Sequence, residues 1–245
     1  MPHVHELNGR RVPMQVRAVD AAHQPQSPEA WLQLLSGTAA GDLCLIRSAD
    51  DCLPLLSDSS AHASLGEACR EKGVHAAWSY KESCTGRQYR ALTFVDDKGS
   101  ALANYRCTHP DAVDLDGGSS PGNWMTIVPW AMGRVGLLLG NDLDHPEVAR
   151  ALRLGGAELL LWMGRTSGGP GHWRLLSQAR AIENGVPWLG FGQDLVLALP
   201  DGSIHGAAGG SVTLDLGRIA GPSGSKRRPI LYRRLSEEEP PPRGG

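Results

Sequence analysis

The segment RVGLLLGNDLDHPEVARALRLGGAELLLWM, residues 134–163, constrains the fold more than any other part of the chain. Val135 to Leu139 is a short unbroken apolar run, the pattern of a strand buried on both faces. Gly140-Asn141-Asp142 reads as a turn, with Gly140 free to take backbone angles that other residues resist. Asp142 or Asp144 is placed to cap the helix that follows. Pro146 suits that helix's first turn, where no N–H is required. Val148, Leu152 and the alanines form its apolar stripe, Gly155-Gly156 ends it, and Leu159 to Met163 is a second buried strand. A strand that feeds a helix through a glycine elbow is where α/β enzymes often hold a nucleophile or bind an anion. Here the elbow is present, and no nucleophilic side chain stands at its tip.

The flanking segments repeat the alternation of strand and helix. Val12 to Ala21 is an opening strand. Ser27 and Pro28 start a helix with Trp31, Leu34 and Leu35 on its buried face, ended by Gly37. Leu43 to Ile46 is a short buried strand, and residues 47–60 form a polar loop at its C-terminal end, where open α/β sheets build their sites. Ser64 and Glu67 have capping-box spacing in a helix that runs to Gly73. Val74 to Ser79 is a strand. Tyr89 to Val95 and Ser100 to Arg106 make a hairpin around Asp96-Asp97-Lys98-Gly99. A long loop, residues 107–123, leads to a strand at Trp124 to Val128 and a turn around Pro129. Gly164 to Gly171 lacks the Gly-Lys-Ser/Thr of a phosphate loop and reads as plain connection. His172 to Asn184 is a helix expected to turn Trp173, Leu176, Ala179 and Ile182 inward. Strands follow at Val186 to Phe191, Leu195 to Leu199, Ser211 to Leu216 and Ile230 to Leu235. Residues 236–245, SEEEPPPRGG, have the composition of a disordered tail. The tally describes an α/β domain with helices packed outside sheets.

The bulk properties narrow the function classes. A chain of 245 residues makes one large domain or two small ones. A net charge of −2 leaves no basic footprint for nucleic acid. No apolar run approaches membrane-spanning length, and the first residues have no secretory h-region. The 5 cysteines, scattered and odd in number, fit reduced thiols and a cytoplasmic location. No Cys/His cluster has zinc spacing, so neither metal nor other cofactor is expected; His3 and His5 lack further ligands.

Four stretches together resemble the nitrilase, or carbon-nitrogen hydrolase, superfamily. RVGLLLGNDLDHPEVARALRLGGAELLL is similar to its nucleophile segment. HWRLLSQARAIENGVPWLGFGQ is similar to its Trp-x-x-Leu…Ala-Arg-Ala-x-Glu-Asn helix. ALANYRCTHP resembles its Tyr-Arg-Lys-x-His segment, and GGSVTLDLGRIAG its Gly-Gly-Ser strand. They cover most of residues 12–235, the expected domain, in the family's order. The resemblance implies a four-layer α-β-β-α sandwich. It also implies a Glu-Lys-Cys triad: the cysteine attacks an amide or nitrile carbon, the glutamate is the base, and the lysine stabilises the tetrahedral intermediate. Carried over position by position, the cysteine falls on Gly140, the lysine on Cys107 and the glutamate, more loosely, on Ser48.

All three triad groups are thus replaced, and covalent catalysis needs both a nucleophile and an activating base. The first expectation is therefore a pseudoenzyme of the nitrilase fold, without Cys-dependent amide or nitrile hydrolysis, acting by binding a ligand or a protein. Its ligand-binding candidates are Cys107, His109, Gly140 and Asn141, with a small amide or carboxylate as ligand. The alternatives are an amide hydrolase whose chemistry has moved to Cys107 or to the loop 47–60, and a structural oligomerisation domain. The resemblance further implies a homodimer, or a heterodimer with a related chain. Asp142, Glu147, Arg150, Arg180 and Glu183 read as structural, with caps and ion pairs around the elbow. Asp111, Asp114 and Asp116 read as solvated loop charge, as do the basic clusters at 226–228 and 233–234. Trp124, Trp130, Trp162, Trp173 and Trp188 read mostly as core.

Overall fold

The computed structural model describes residues 6–7, 10–11, 13–22, 25, 27–49, 55–56, 59–130, 132–165, 169–207 and 210–215. The strand at Ile230 to Leu235, the basic clusters, the charged tail, His3, His5 and part of the loop 47–60 lie outside them.

A small pair, β1 (Glu6–Leu7) and β2 (Arg10–Arg11), precedes the first sheet. That sheet is built from β3 (Met14–Ala21), α1 (Pro28–Leu34), β4 (Leu43–Ser48), β5 (Leu55–Leu56), α2 (Ser60–Lys72), β6 (His75–Cys84), β7 (Arg87–Val95) and β8 (Ala101–Arg106). After the short α3 (Ala112–Asp116) come β9 (Ile127–Trp130), β10 (Gly133–Leu139), a 3-10 turn (Gly140–Asp144), α4 (Pro146–Leu154), β11 (Leu159–Met163) and α5 (Gly169–Asn184). β12 (Trp188–Phe191), β13 (Leu195–Ala198), β14 (Ile204–Ala207) and β15 (Ser211–Leu214) complete the elements of the described residues. The first sheet has the order β15-β3-β4-β6-β7-β8, with β5 also on β6; the second has the order β14-β13-β12-β11-β10-β9. β3, β4 and β6 are parallel, as are β10, β11 and β12.

Period-two alternation assigns the layers. Leu43 and Leu45 join Leu137, Leu139, Leu159 and Leu161 in the core between the sheets. Their neighbours Cys44 and Ile46 face the other way, against Trp31 and Leu35 of the α1 end and Leu65 and Cys69 of α2. On the far side, Leu138, Leu160 and Trp162 meet Val148 and Leu152 of α4 and Trp173 of α5. Three apolar layers between four layers of secondary structure make the expected α-β-β-α sandwich. Unbroken apolar runs such as Leu159–Met163 arise because both faces of each central strand are covered.

Several local expectations change. α2 begins at Ser60 with Ser59 as its N-cap, so Ser64 and Glu67 lie inside the helix and form no capping box. β6 runs on to Cys84 and turns into β7 through Thr85-Gly86, with Thr85 at φ 47°. Pro129 lies within β9, which is tolerated because β9 is an edge strand. β14 arises inside the connection between the expected strands Leu195 to Leu199 and Ser211 to Leu216. On α5 the buried stripe is Trp173, Ser177, Arg180, Ala181 and Asn184, leaving Ile182 exposed. Polar residues occupy that stripe because each finds a partner: Arg180 donates to the carbonyl of Leu143, and Asn184 to that of Arg180. Trp124 is 82% exposed and is not core, whereas the other four tryptophans named above are buried.

Candidate active site

The elbow after β10 is held from below. Asp142 is fully buried, and its carboxylate accepts from Tyr105 Oη at 2.6 Å, Thr108 Oγ1 at 2.8 Å, the His109 amide at 3.0 Å and the Leu139 amide at 3.0 Å. Burial by itself raises this carboxyl's pKa; hydrogen bonds from His109, Tyr105, Leu139 and Thr108 outweigh it and hold the group below the ordinary aspartate value. Asp142 is therefore a clamp on the elbow and not the cap of α4. The residue before Pro146, His145, takes the cap position without a side-chain bond. The His145 and His109 rings stack with centroids 4.0 Å apart. Burial, then the neighbouring His109, lowers the His145 pKa.

Gly140 stands at the tip with φ +55°, and its carbonyl accepts from Trp162 Nε1 at 2.8 Å. Gly164 packs so closely beneath it that an added Cβ would lie 2.7 Å from the Gly140 nitrogen. Residues 140–144 form a 3-10 turn and α4 starts only at Pro146. Asn141 is thus not at the N-terminus of a long helix, and the aligned dipole invoked for anion binding does not bear on it.

Above the elbow lies a cavity of about 580 Å3, measured with its open mouth, at the C-terminal ends of β4 and β10 and beside the adjoining stretch of β6. Such strand ends are where open sheets place their sites. The structure brings the three triad-aligned positions to this region. Ser48 and Gly140 both line the cavity, and a Cβ placed on Gly140 would be 3.8 Å from Cys107 Sγ. Ser48 Oγ is occupied, accepting from Trp78 Nε1 at 2.8 Å in the helix-side layer. Cys107 is 2% exposed, donates to the Leu139 carbonyl at 3.1 Å, and has its pKa pushed well above the usual thiol value by burial and by Asp142. It is an inert thiol by this geometry, not a low-pKa nucleophile. His109 and Asn141 belong to the clamp and its surroundings, and neither lines the cavity.

The polar side chains that do line the cavity include several that sequence reasoning passed over. Ser79 and Lys81 are two residues apart on β6, on the face that carries Ala77 into the inter-sheet core. Among the described residues, no hydrogen bond or ion pair engages Ser79 Oγ or Lys81 Nζ. Arg90, directly across from Lys81 on β7, pairs with Asp114 at 2.7 Å. Asp114 is therefore not simply solvated loop charge. Arg47 reaches from β4 to Asp20 and to the carbonyls of Gly164 and Gly192. Ser79 and Lys81 follow Ala77 at the same parity, which puts them on the inner face because β6 continues to Cys84. Four described cysteines are free, and no group of three or more potential metal ligands occurs among the described residues. No described helix is long and apolar enough to cross a membrane.

The four layers and the strand-end cavity define the class as an α-β-β-α sandwich with its cavity at the strand ends. The carbon-nitrogen hydrolase family model matches residues 28–230, and the chain belongs to that family. An (R)-stereoselective amidase from a Pseudomonas species is 36% identical over 165 residues, covering 64% of this chain and 56% of the relative. The human omega-amidase NIT2 is 29% identical over 133 residues, covering 50% of this chain and 48% of that one. This chain spans about half the length of such curated relatives. Among solved structures, an amidase from Nesterenkonia sp. superposes with a TM-score of 0.69 at 20% identity, covering 91% of this chain and 96% of that one. Saccharomyces cerevisiae Nit3, a member of branch 10 of the nitrilase superfamily, superposes with a TM-score of 0.71 at 17% identity, covering 94% and 97%. At these identities the superpositions establish the fold. The curated relatives are named amidases, and this overturns the expectation of a pseudoenzyme. The expectation weighed three positions against the family's triad and gave no weight to the other polar side chains that line the cavity.

Proposed function

We propose that this chain is a carbon-nitrogen hydrolase that cleaves an amide, with catalytic groups supplied from cavity positions other than 48, 107 and 140. The observation that carries this reading is the furnished cavity: Gly140 lines it together with a hydroxyl and an amine that are unengaged among the described residues. The amidase names of the relatives support it. Hydrolysis of an amide needs an attacking oxygen, a group to accept its proton and a donor for the leaving nitrogen, and a serine and a lysine are chemically sufficient for these. Purified protein should release ammonia or amine from at least one member of a panel of short linear amides. Absence of release across the panel overturns the reading.

Apart from Lys81, the charged residues lining the cavity are Arg47, Arg90 and Arg165 against Asp111 and Asp114. This excess of positive charge favours an amide that also carries a carboxylate. At low salt, kcat/KM for an ω-amide acid should exceed that of the uncharged amide of equal length by roughly tenfold, and the advantage should shrink as salt screens the charges. A homodimer is part of the same proposal. Leu154, Leu175 and Ile182 are more than half exposed on α4 and α5, an apolar face suited to a second copy. Light scattering should give twice the chain mass, and a monomer at micromolar concentration removes this part.

A further inference from the structure

We propose that Ser79 is the attacking nucleophile and Lys81 its general base. This assignment rests on the amide-hydrolase reading for its substrate, and on the cavity geometry alone for its residues. Elimination carries it. Gly140 has no side chain, Cys107 is sealed and held protonated, and Ser48 Oγ is committed to Trp78. Arg47 and Arg90 are held by Asp20 and Asp114, and guanidinium groups do not give up a proton in proteins. Tyr80 Oη donates to Asn104, Asp111 accepts from the Asp114 amide, and Arg165 is a further guanidinium; Ser79 and Lys81 remain, both cavity-lining and both unengaged among the described residues.

Their spacing suits the pairing. Positions i and i+2 of a strand share a face and are about 6.5 Å apart along the chain. The four-carbon stem of lysine is long enough to fold its amine back onto that serine hydroxyl. Ser79 is fixed by a central strand, with Leu92 directly opposite it on β7. Lys81 is opposite Arg90, whose carboxylate partner comes from the α3 segment beside the cavity mouth. A serine activated by a lysine amine is one of the recurring variants of nucleophilic hydrolysis.

Lys81 Nζ takes the Ser79 hydroxyl proton as Oγ bonds to the amide carbon, and the carbonyl π pair moves onto its oxygen. As the carbonyl re-forms, the C–N bond breaks and the Lys81 ammonium gives its proton to the departing nitrogen. Water then attacks the resulting ester, losing a proton to Lys81; the ester C–O bond breaks, and the proton returns to Ser79. Amide and water become acid and amine, and both side chains are restored.

The test uses the whole chain, a reactive acyl ester such as p-nitrophenyl butyrate, and peptide-resolved mass spectrometry. One acyl group should be found on Ser79 in the unaltered protein and on the new thiol in Ser79→Cys. Ser79→Ala should acquire none at that peptide and lose about 10^3-fold or more of any amide turnover. Lys81→Arg keeps the positive charge but cannot accept the proton, and should slow acylation by about 100-fold while leaving thermal stability close to that of the parent. In the unaltered protein the acylation rate should climb with pH, and in Lys81→Arg this climb should vanish. Acylation of another residue overturns the proposal. So does amide turnover within twofold of the parent in Ser79→Ala, or an unchanged pH profile in Lys81→Arg. Acylation of Ser79 with no amide turnover supports the nucleophile assignment and rejects the amide-hydrolase reading, so the two fail separately.

Discussion

The two sides of the elbow at Gly140 follow different rules. Beneath it, Asp142 takes hydrogen bonds from a phenol, a hydroxyl and backbone amides in a fully buried setting. Above it, the three positions that resemble a catalytic triad carry a glycine, a sealed thiol and a serine bonded to Trp78. The difference follows from energetics. A buried carboxylate with several donors cannot be altered without orphaning all of them, whereas a side chain that projects into a cavity can change with little cost to stability. The scaffold of an active site is therefore more strongly tied to folding than the groups that react within it.

The comparison is broken most directly by Asp142→Ala. It leaves Tyr105 Oη, Thr108 Oγ1 and the amides of Leu139 and His109 without their acceptor and should cost about 3–5 kcal/mol, read by urea denaturation. A loss below about 1 kcal/mol would mean that the underside is as replaceable as the cavity side. Acid should act in the same direction. The folded-state pKa of Asp142 lies below its ordinary 3.8, so its stabilisation is complete above that pH and is lost as pH falls through the folded value. Asp142→Asn should flatten that part of the stability–pH curve.

Gly140→Cys sharpens the contrast from the other side. There is room, since the nearest atom to an added Cβ is Cys107 Sγ at 3.8 Å. The positive φ imposes a cost of roughly 1–2 kcal/mol, and no gain in amide turnover is expected because positions 48 and 107 still lack a base and a cation. A large gain would show that one atom was all the cavity lacked. The smallest effect is expected at Cys107. Its alkylation at pH 8 should be at least about tenfold slower than that of a free thiol, and Cys107→Ala should leave turnover within about twofold.

The layers were legible in the chain because period-two alternation and unbroken apolar runs report burial directly. Leu43 to Ile46, Val135 to Leu139 and Leu159 to Met163 all lie where the pattern put them. The inward face of α5 was read wrongly. Ile182 looks like core by hydrophobicity, but Arg180 and Asn184 are buried because carbonyls elsewhere in the fold, at Leu143 and within the helix, receive their donors. Those acceptors are invisible until the tertiary contacts form. The site was partly legible for the same reason. The family resemblance pointed to Gly140 and Cys107, and a Cβ added at Gly140 would indeed lie 3.8 Å from Cys107 Sγ. It passed over Ser79 and Lys81 because strand β6 was ended at Ser79, and a lysine beyond a strand's end carries no directional information. Once β6 extends to Cys84, Lys81 acquires a face and a cavity.

The Asp142 clamp also joins elements of different sheets. Tyr105 belongs to β8 of the first sheet, and the carboxylate it bonds follows β10 of the second. Prising the two leaves of the sandwich apart would tear this knot first. A hinge opening of the two sheets is thus a costly route to the cavity, and small molecules are left to enter through the mouth that is already open.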